Sequence, residues 1–168
     1  MKRKVFQILV ENTSGVLSRI SGLFSRRGYS IESITCGDTA DKAVSRVTIV
    51  ASGDDEILDQ IEKQLAKLVD VVDIRELKPD ESVYRELALI KVKAETSERV
   101  GLITLANTFR ANVIDVSNHG VIVEITGNSG KINAFIDLIS GYEILEIART
   151  GIAGLRRGTD GVVSPKIR

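Results

Sequence analysis

The sequence repeats one order of predicted elements, and this repeat restricts the possible folds more than any other feature. Within 168 residues, the hydrophobic pattern predicts strand, helix, strand, strand, helix, strand. The same order then starts again after about 84 residues, matching in pattern rather than in residues. Two tandem α+β units of ferredoxin-like βαββαβ topology are therefore predicted. Each should have a four-stranded antiparallel sheet with both helices on one face.

A polar segment containing Pro79 separates the two halves and is typical of a linker. The residues that follow Gly154 are rich in glycine and basic side chains, so we expect a mobile end of the chain. The predicted parts are a first domain at 1–78, a linker at 79–84, a second domain at 85–155 and a flexible basic tail at 156–168.

The charge balance argues against nucleic acid and membrane partners. Lysine plus arginine and aspartate plus glutamate number 23 each, so no net positive field attracts phosphates. RNA-recognition modules share the βαββαβ topology but carry stacking aromatics on their central strands. The strands at 44–50 and 87–92 contain no aromatic residue. No run of about eighteen apolar residues that could span a membrane is present either.

The residues that usually carry chemistry are few. The single cysteine, Cys36, excludes an internal disulfide framework, and we expect it to be a small buried hydrophobe in a protein of the reducing cytoplasm. The single histidine, His119, excludes the usual zinc sets and is interpreted as a surface residue of a hairpin turn. Residues 127–131 have the wrong spacing for a phosphate loop and are interpreted as a turn and helix cap. No catalytic residue and no metal site is predicted.

The turn at residues 11–18 is the candidate binding site, because an apolar strand runs through it directly into an amphipathic helix. The first N–H groups of a helix lack intrahelical partners and suit a small anion such as a carboxylate. The alternative is that the polar turn residues merely cap the helix while Gly15 permits a tight turn. Before the third helix, Glu95 and Glu98 would repel a carboxylate. One ligand site per chain, in the first unit, is therefore predicted.

Residues 10–19 and 22–33 closely resemble the amino-acid-sensing ACT domain of the small, regulatory subunit of acetolactate synthase, also called acetohydroxyacid synthase. ACT domains in general share only the fold and the turn, so a resemblance that extends further is more specific. Further segments that resemble this family lie at 45–49, 60–71, 85–87, 114–116 and 146–158.

The resemblance implies a non-catalytic subunit of the first common step of branched-chain amino acid biosynthesis. Such subunits activate a separate large catalytic subunit and transmit feedback inhibition by valine, sometimes by isoleucine or leucine. Thiamine diphosphate, magnesium and FAD are expected in that catalytic partner, with no cofactor in this chain. Family members are homodimers through their ACT domains, and the effector lies between the two domains.

The resemblance also implies which residues bind the effector. Asn12 and Gly15 match the effector-binding turn, and Val16 and Leu17 follow at the helix start. The neighbouring chain would complete the pocket through Ser30 and Ile31 of its second strand. Relatives often have Asn where Ser30 stands, and a serine hydroxyl reaches less far than an amide.

Two other functions are compatible with the fold. A free-standing ACT-type regulator could bind an amino acid and act on another enzyme or on transcription, but the latter needs a DNA-reading helix or a basic stripe, and neither is visible in the sequence. A small enzyme on a ferredoxin-like scaffold would need a catalytic constellation, which is also missing.

Overall fold

The computed structural model describes residues 2–159, which form two compact units. Among these residues, the first unit contains 2–83 together with 152–159, and the second contains Tyr84–Gly151. The tail predicted at 156–168 lies outside the described residues from residue 160. None of the helices in the described part is long and apolar enough to cross a membrane.

The first unit has the predicted βαββαβ order, and its sheet is antiparallel. The elements are β1 (Lys2–Glu11), α1 (Val16–Arg27), β2 (Ser30–Asp38), β3 (Val44–Gly53), α2 (Asp55–Leu65) and β4 (Val71–Glu76). The strands are arranged as β2-β3-β1-β4, so β2 and β4 are the edge strands.

Alternating apolar residues of the two central strands form the core of this unit. Phe6 and Ile8 on β1 lie opposite Ile49 and Val47 on β3, and all four side chains are fully buried. Alternation places them on one face of the sheet, where the apolar stripes of α1 and α2 cover them. This packing fixes the start of α1 beside the end of β1.

The second sheet and its helices repeat this order, and the sheet has one additional strand. The elements are β5 (Ser82–Lys93), α3 (Arg99–Thr108), β6 (Asn112–Val116), β7 (Gly120–Gly127), α4 (Ser129–Leu138), β8 (Ile144–Arg149) and β9 (Ala153–Arg156). The strands are arranged as β6-β7-β5-β8 in an antiparallel sheet, to which β9 adds a fifth strand by pairing with β5.

The strand β9 differs from the sequence prediction, which gave each sheet four strands. It is only four residues long and contains Gly154, so neither length nor composition indicates a strand. The linker prediction also differs from the structure, because β5 begins at Ser82 and includes the last residues of 79–84. Val83 and Tyr84 are strand-forming residues that extend β5 toward the proline.

Candidate functional site

The turn between β1 and α1 has a backbone conformation that requires glycine. Beyond the last residue of β1, the N–H of Asn12 donates to the carbonyl of Ala43 at 2.8 Å, which ties the turn to the start of β3. Gly15 then adopts φ 86°, in the left-handed region, and α1 begins at Val16. The chain thus reverses from the sheet into the helix within four residues, 12–15.

The first turn of α1 has no side-chain cap, unlike the helices that follow β3 and β7. Asp54 accepts a hydrogen bond from the N–H of Ile57 at 2.8 Å, and Asn128 accepts one from that of Lys131, also at 2.8 Å. At α1 no side chain forms such a bond. The alternative that the polar turn residues cap α1 is therefore wrong, and these N–H groups are available to an anion. The cap predicted within 127–131 is confirmed.

A cavity of about 310 Å³ lies beside this helix start. It brings together four of the six predicted effector residues, Asn12, Gly15, Val16 and Leu17. Its complete lining is Val10, Glu11, Asn12, Thr13, Gly15, Val16, Leu17, Ser18, Cys36 and Ser45. The cavity therefore joins free N–H groups, an amide side chain and apolar surface, which is the composition of a small-molecule site.

The other two predicted residues, Ser30 and Ile31, do not line this cavity. They lie at the start of β2, opposite Ser52 and Ala51 of β3, whereas the cavity is at the other end of β2. Ile31 packs against the core of its own unit. Their assignment to the neighbouring chain's pocket stays a prediction.

The side chain of Asn12 is held in a defined orientation. Its Nδ2 donates to the carbonyl of Lys42 at 3.1 Å, which leaves Oδ1 as the atom that can accept a hydrogen bond. The cavity therefore contains both a hydrogen-bond acceptor, Oδ1 of Asn12, and hydrogen-bond donors, the free backbone N–H groups. This arrangement suits a ligand with both a carboxylate and an ammonium group.

The cavity also contains two residues that were not predicted as site residues, Cys36 and Ser45. The prediction that Cys36 is buried is wrong, because its side chain is exposed. It lies on β2, an edge strand that the two helices do not cover completely. The register of the β2–β3 hairpin, in which Cys36 is opposite Val47, is the signal that could have placed both residues near the helix start.

An ion pair between Arg19 and Asp70 braces the same turn. Arg19 Nε and Nη2 donate to the two carboxylate oxygens of Asp70 at 2.5 and 2.9 Å, and the carbonyl of Asp70 accepts from the N–H of Glu11 at 2.9 Å. The hydrogen bond from Arg19 lowers the pKa of Asp70, and the same bond raises the pKa of the guanidinium. The charge of Arg19 is therefore already compensated, so the backbone N–H groups are left to bind the anion.

The corresponding helix start in the second unit, that of α3, also lacks a side-chain cap but is preceded by acidic residues. Before α3, Glu98 Oε2 accepts from the N–H of Glu95 at 2.9 Å, and the carboxylate of Glu95 lies 3.2 Å from His119 Nδ1. Two carboxylates therefore lie just before α3, where their negative charge would repel a ligand carboxylate. His119 itself is exposed, as the sequence predicted.

The described residues do not show a metal centre. Within 2–159, no group of three or more histidine, cysteine, aspartate and glutamate side chains is close enough together to hold a metal ion.

Comparison with protein families accounts for both units. Residues 6–73 match the model of the AHAS small subunit-like ACT domain, and residues 85–158 match that of the small subunit of acetolactate synthase. The chain belongs to the acetolactate synthase small-subunit family. The family resemblance stated from the sequence is thereby confirmed, and the ACT match contains the turn and cavity at the start of α1.

Individual relatives of this small-subunit family match over nearly the whole chain. The probable acetolactate synthase small subunit of Methanothermobacter thermautotrophicus is 47% identical and covers 92% of this chain and 93% of its own. The isozyme 3 small subunit of Escherichia coli is 45% identical, covering 93% and 96%. The crystal structure of the Thermotoga maritima small subunit has a TM-score of 0.87 at 41% identity, covering 95% of this chain and 99% of that one. The predicted fold class is confirmed, and the family role is that of a small, regulatory subunit.

Proposed function

We propose that this chain activates a large catalytic subunit of acetolactate synthase and gives it feedback inhibition by valine or another branched-chain amino acid. The observation that carries the proposal is the uncapped start of α1 beside a cavity of about 310 Å³. Membership of the small-subunit family supports the catalytic partner. The geometry of the cavity supports the class of effector.

The groups of the cavity match those of a branched-chain amino acid. The ligand carboxylate accepts hydrogen bonds from the first N–H groups of α1, where the helix dipole is positive. The ammonium donates to Oδ1 of Asn12, the oxygen left over by the bond from Nδ2 to the carbonyl of Lys42. Val16 and Leu17 supply apolar surface for the branched side chain. A cavity of this size lies at the lower end of small-molecule sites.

The exposed edge of β2 supports a homodimer through the ACT domains. Among the described residues, β2 is an edge strand that is hydrogen-bonded to β3, and an edge strand can pair with a second copy. Leu17 and Ile34 are 45% and 40% exposed, so a second copy could bury apolar surface of both side chains. In such a dimer, Ser30 and Ile31 of the neighbouring chain complete the pocket.

We also propose a division of roles along the chain. Residues 1–78 form the sensing domain, 79–84 the connection, and 85–155 a second domain that contacts the catalytic subunit or stabilises the dimer. Thiamine diphosphate, magnesium and FAD belong to the catalytic partner in this proposal. The chain acts by binding its effector and changing the activity of that partner, with no chemical step of its own.

The proposal is tested by reconstitution with the large subunit. Acetolactate formation is measured with the catalytic subunit alone, with added wild-type chain, and with the Asn12→Ala variant, each over a range of valine, leucine and isoleucine concentrations. We expect wild type to raise the rate and to make it sensitive to at least one of these amino acids. Asn12→Ala should activate equally well and lose the inhibition.

Ser14→Ala is the matched control, because Ser14 lies in the same turn but does not line the cavity. It should behave as wild type in both activation and inhibition. A chain that binds valine but has no effect on the catalytic subunit would contradict the proposal and favour a free-standing ACT-type regulator. Unchanged inhibition in Asn12→Ala would contradict the site.

A further inference from the structure

The sheet side of the α1 cavity carries two side chains with polar or polarisable atoms, Cys36 and Ser45. Ser45 is opposite Val10 in the β1–β3 ladder, and Cys36 is opposite Val47 in the β2–β3 ladder. Directly opposed residues of antiparallel strands share a face of the sheet. Since Val10 and Val47 belong to the core beneath the helices, Ser45 and Cys36 also lie on the helix-facing side.

Ser45 places a hydroxyl group on the wall of the cavity. The residue as a whole is only 6% exposed, so an occupant of the cavity would cover this hydroxyl. A hydroxyl that loses its contact with water needs another partner, so the occupant should place a polar atom beside it. The hydroxyl faces the cavity together with Asn12, the proposed acceptor for the ligand ammonium.

Cys36 contributes a different kind of surface. Its thiol is a weak hydrogen-bonding group that behaves as a small hydrophobe, and it lines the cavity from the edge strand while Val16 and Leu17 line it from the helix. The ligand side chain therefore lies between an aliphatic helix start and a small sulfur-containing residue. A larger side chain at position 36 would shorten this part of the cavity.

We infer that Ser45 and Cys36 form the sheet-side wall of the effector site, Ser45 as a second acceptor for the ligand ammonium and Cys36 as a determinant of side-chain size. This inference rests on the proposed function, since it assumes an amino acid in the cavity. It adds to that proposal a sheet-side wall and a residue that selects among branched-chain amino acids.

The two roles predict different changes in binding. Ser45→Ala removes an ammonium contact common to all three amino acids, so the Kd for valine, leucine and isoleucine should rise together by about fivefold to tenfold. Cys36→Leu reduces the room for the ligand side chain, so it should weaken leucine relative to valine by about tenfold. Cys36→Ser keeps the size and should leave the ratio of the two Kd values as in wild type.

The test is calorimetric titration of the full chain, in which wild type is compared with these variants and with two controls. Ser52→Ala is the matched control for Ser45→Ala, since Ser52 is on the same strand but does not line the cavity. Asn12→Ala reports on the proposed site itself. Urea unfolding followed by circular dichroism identifies any variant that is less stable than wild type.

Two results separate this inference from the proposed function. If wild type binds an amino acid, Asn12→Ala abolishes binding, and the Ser45 and Cys36 variants stay within twofold of wild type in both Kd and leucine-to-valine ratio, only this inference is overturned. If wild type binds none of the three amino acids, the proposed function fails and the inference fails with it. An equal loss of affinity in Ser52→Ala would also overturn the assignment to Ser45.

Discussion

Gly15 and Gly28 stand at the two ends of α1, and both have a positive φ, 86° and 66°. An alanine in this left-handed region is destabilised by about 1–2 kcal/mol relative to glycine. At Gly28 an added Cβ meets nothing within 4 Å, whereas at Gly15 it lies 3.0 Å from Arg19 Nη1. Because that atom is at the end of a flexible side chain, it can shift, and the two alanine variants should be destabilised by similar amounts.

The two variants should nevertheless differ in effector binding. Gly15 lines the cavity, and a backbone shift that relieves the strained φ of an alanine there would move the first N–H groups of α1. We expect Gly15→Ala to raise the Kd for valine at least tenfold, which corresponds to about 1.4 kcal/mol. Gly28 is at the opposite end of a helix of 12 residues, so Gly28→Ala should bind valine as wild type does.

The assay combines urea unfolding followed by circular dichroism with calorimetric titration of valine. Similar unfolding midpoints in the two variants would show that they are destabilised to a similar extent. General destabilisation would then not explain a difference in valine affinity between them. The reasoning is refuted if Gly15→Ala retains the wild-type Kd. It is equally refuted if Gly28→Ala loses as much affinity as Gly15→Ala.

Three further predictions concern stability. The arginine that pairs with Asp70 lowers the pKa of its carboxyl below the ordinary value of 3.8, so its stabilising effect is present above about pH 4 and is lost as the pH falls through the folded-state pKa. Wild type should therefore be more stable than Asp70→Asn at pH 7 and lose that advantage in acid, and a constant difference in urea midpoint between about pH 6 and pH 2 would contradict this. Arg149→Met removes the two hydrogen bonds, of 2.7 and 2.9 Å, that Arg149 donates to the buried Glu86 carboxylate. The unfolding free energy of the second unit should therefore fall by about 3 kcal/mol, and a loss under about 0.5 kcal/mol would show that the pair is not stabilising. Asn128→Ala removes the side-chain cap of α4 and should lower the unfolding free energy by about 1 kcal/mol. Ser14→Ala should leave the unfolding free energy unchanged, because α1 has no side-chain cap. Equal losses in the two variants would contradict this difference between the helix starts.

The repeated βαββαβ order could be predicted because it depends on local patterns. Strand alternation and helical stripes are encoded within each element, and the glycine that ends α1 marks its boundary in the sequence. The strand β9 could not be predicted in this way, since a four-residue strand with a glycine becomes extended only through its pairing with β5. Short elements held by tertiary pairing leave little periodicity to detect.

The same distinction applies to the site. Asn12, Gly15, Val16 and Leu17 are consecutive or nearly so, and a strand, a polar turn and a helix bring them together without help from the rest of the chain. Cys36 joins them only through strand register across the sheet. The bracing pair of the turn joins residues 51 positions apart, which single-sequence patterns do not connect.

The central claim is that the start of α1 binds a branched-chain amino acid, and calorimetric titration of the purified full chain with valine, leucine and isoleucine tests it most directly. The structure leads us to expect one saturable site per chain for at least one of the three, lost in Asn12→Ala and retained in Ser14→Ala. Absence of binding by all three amino acids, or binding that Asn12→Ala leaves unchanged, would contradict the claim.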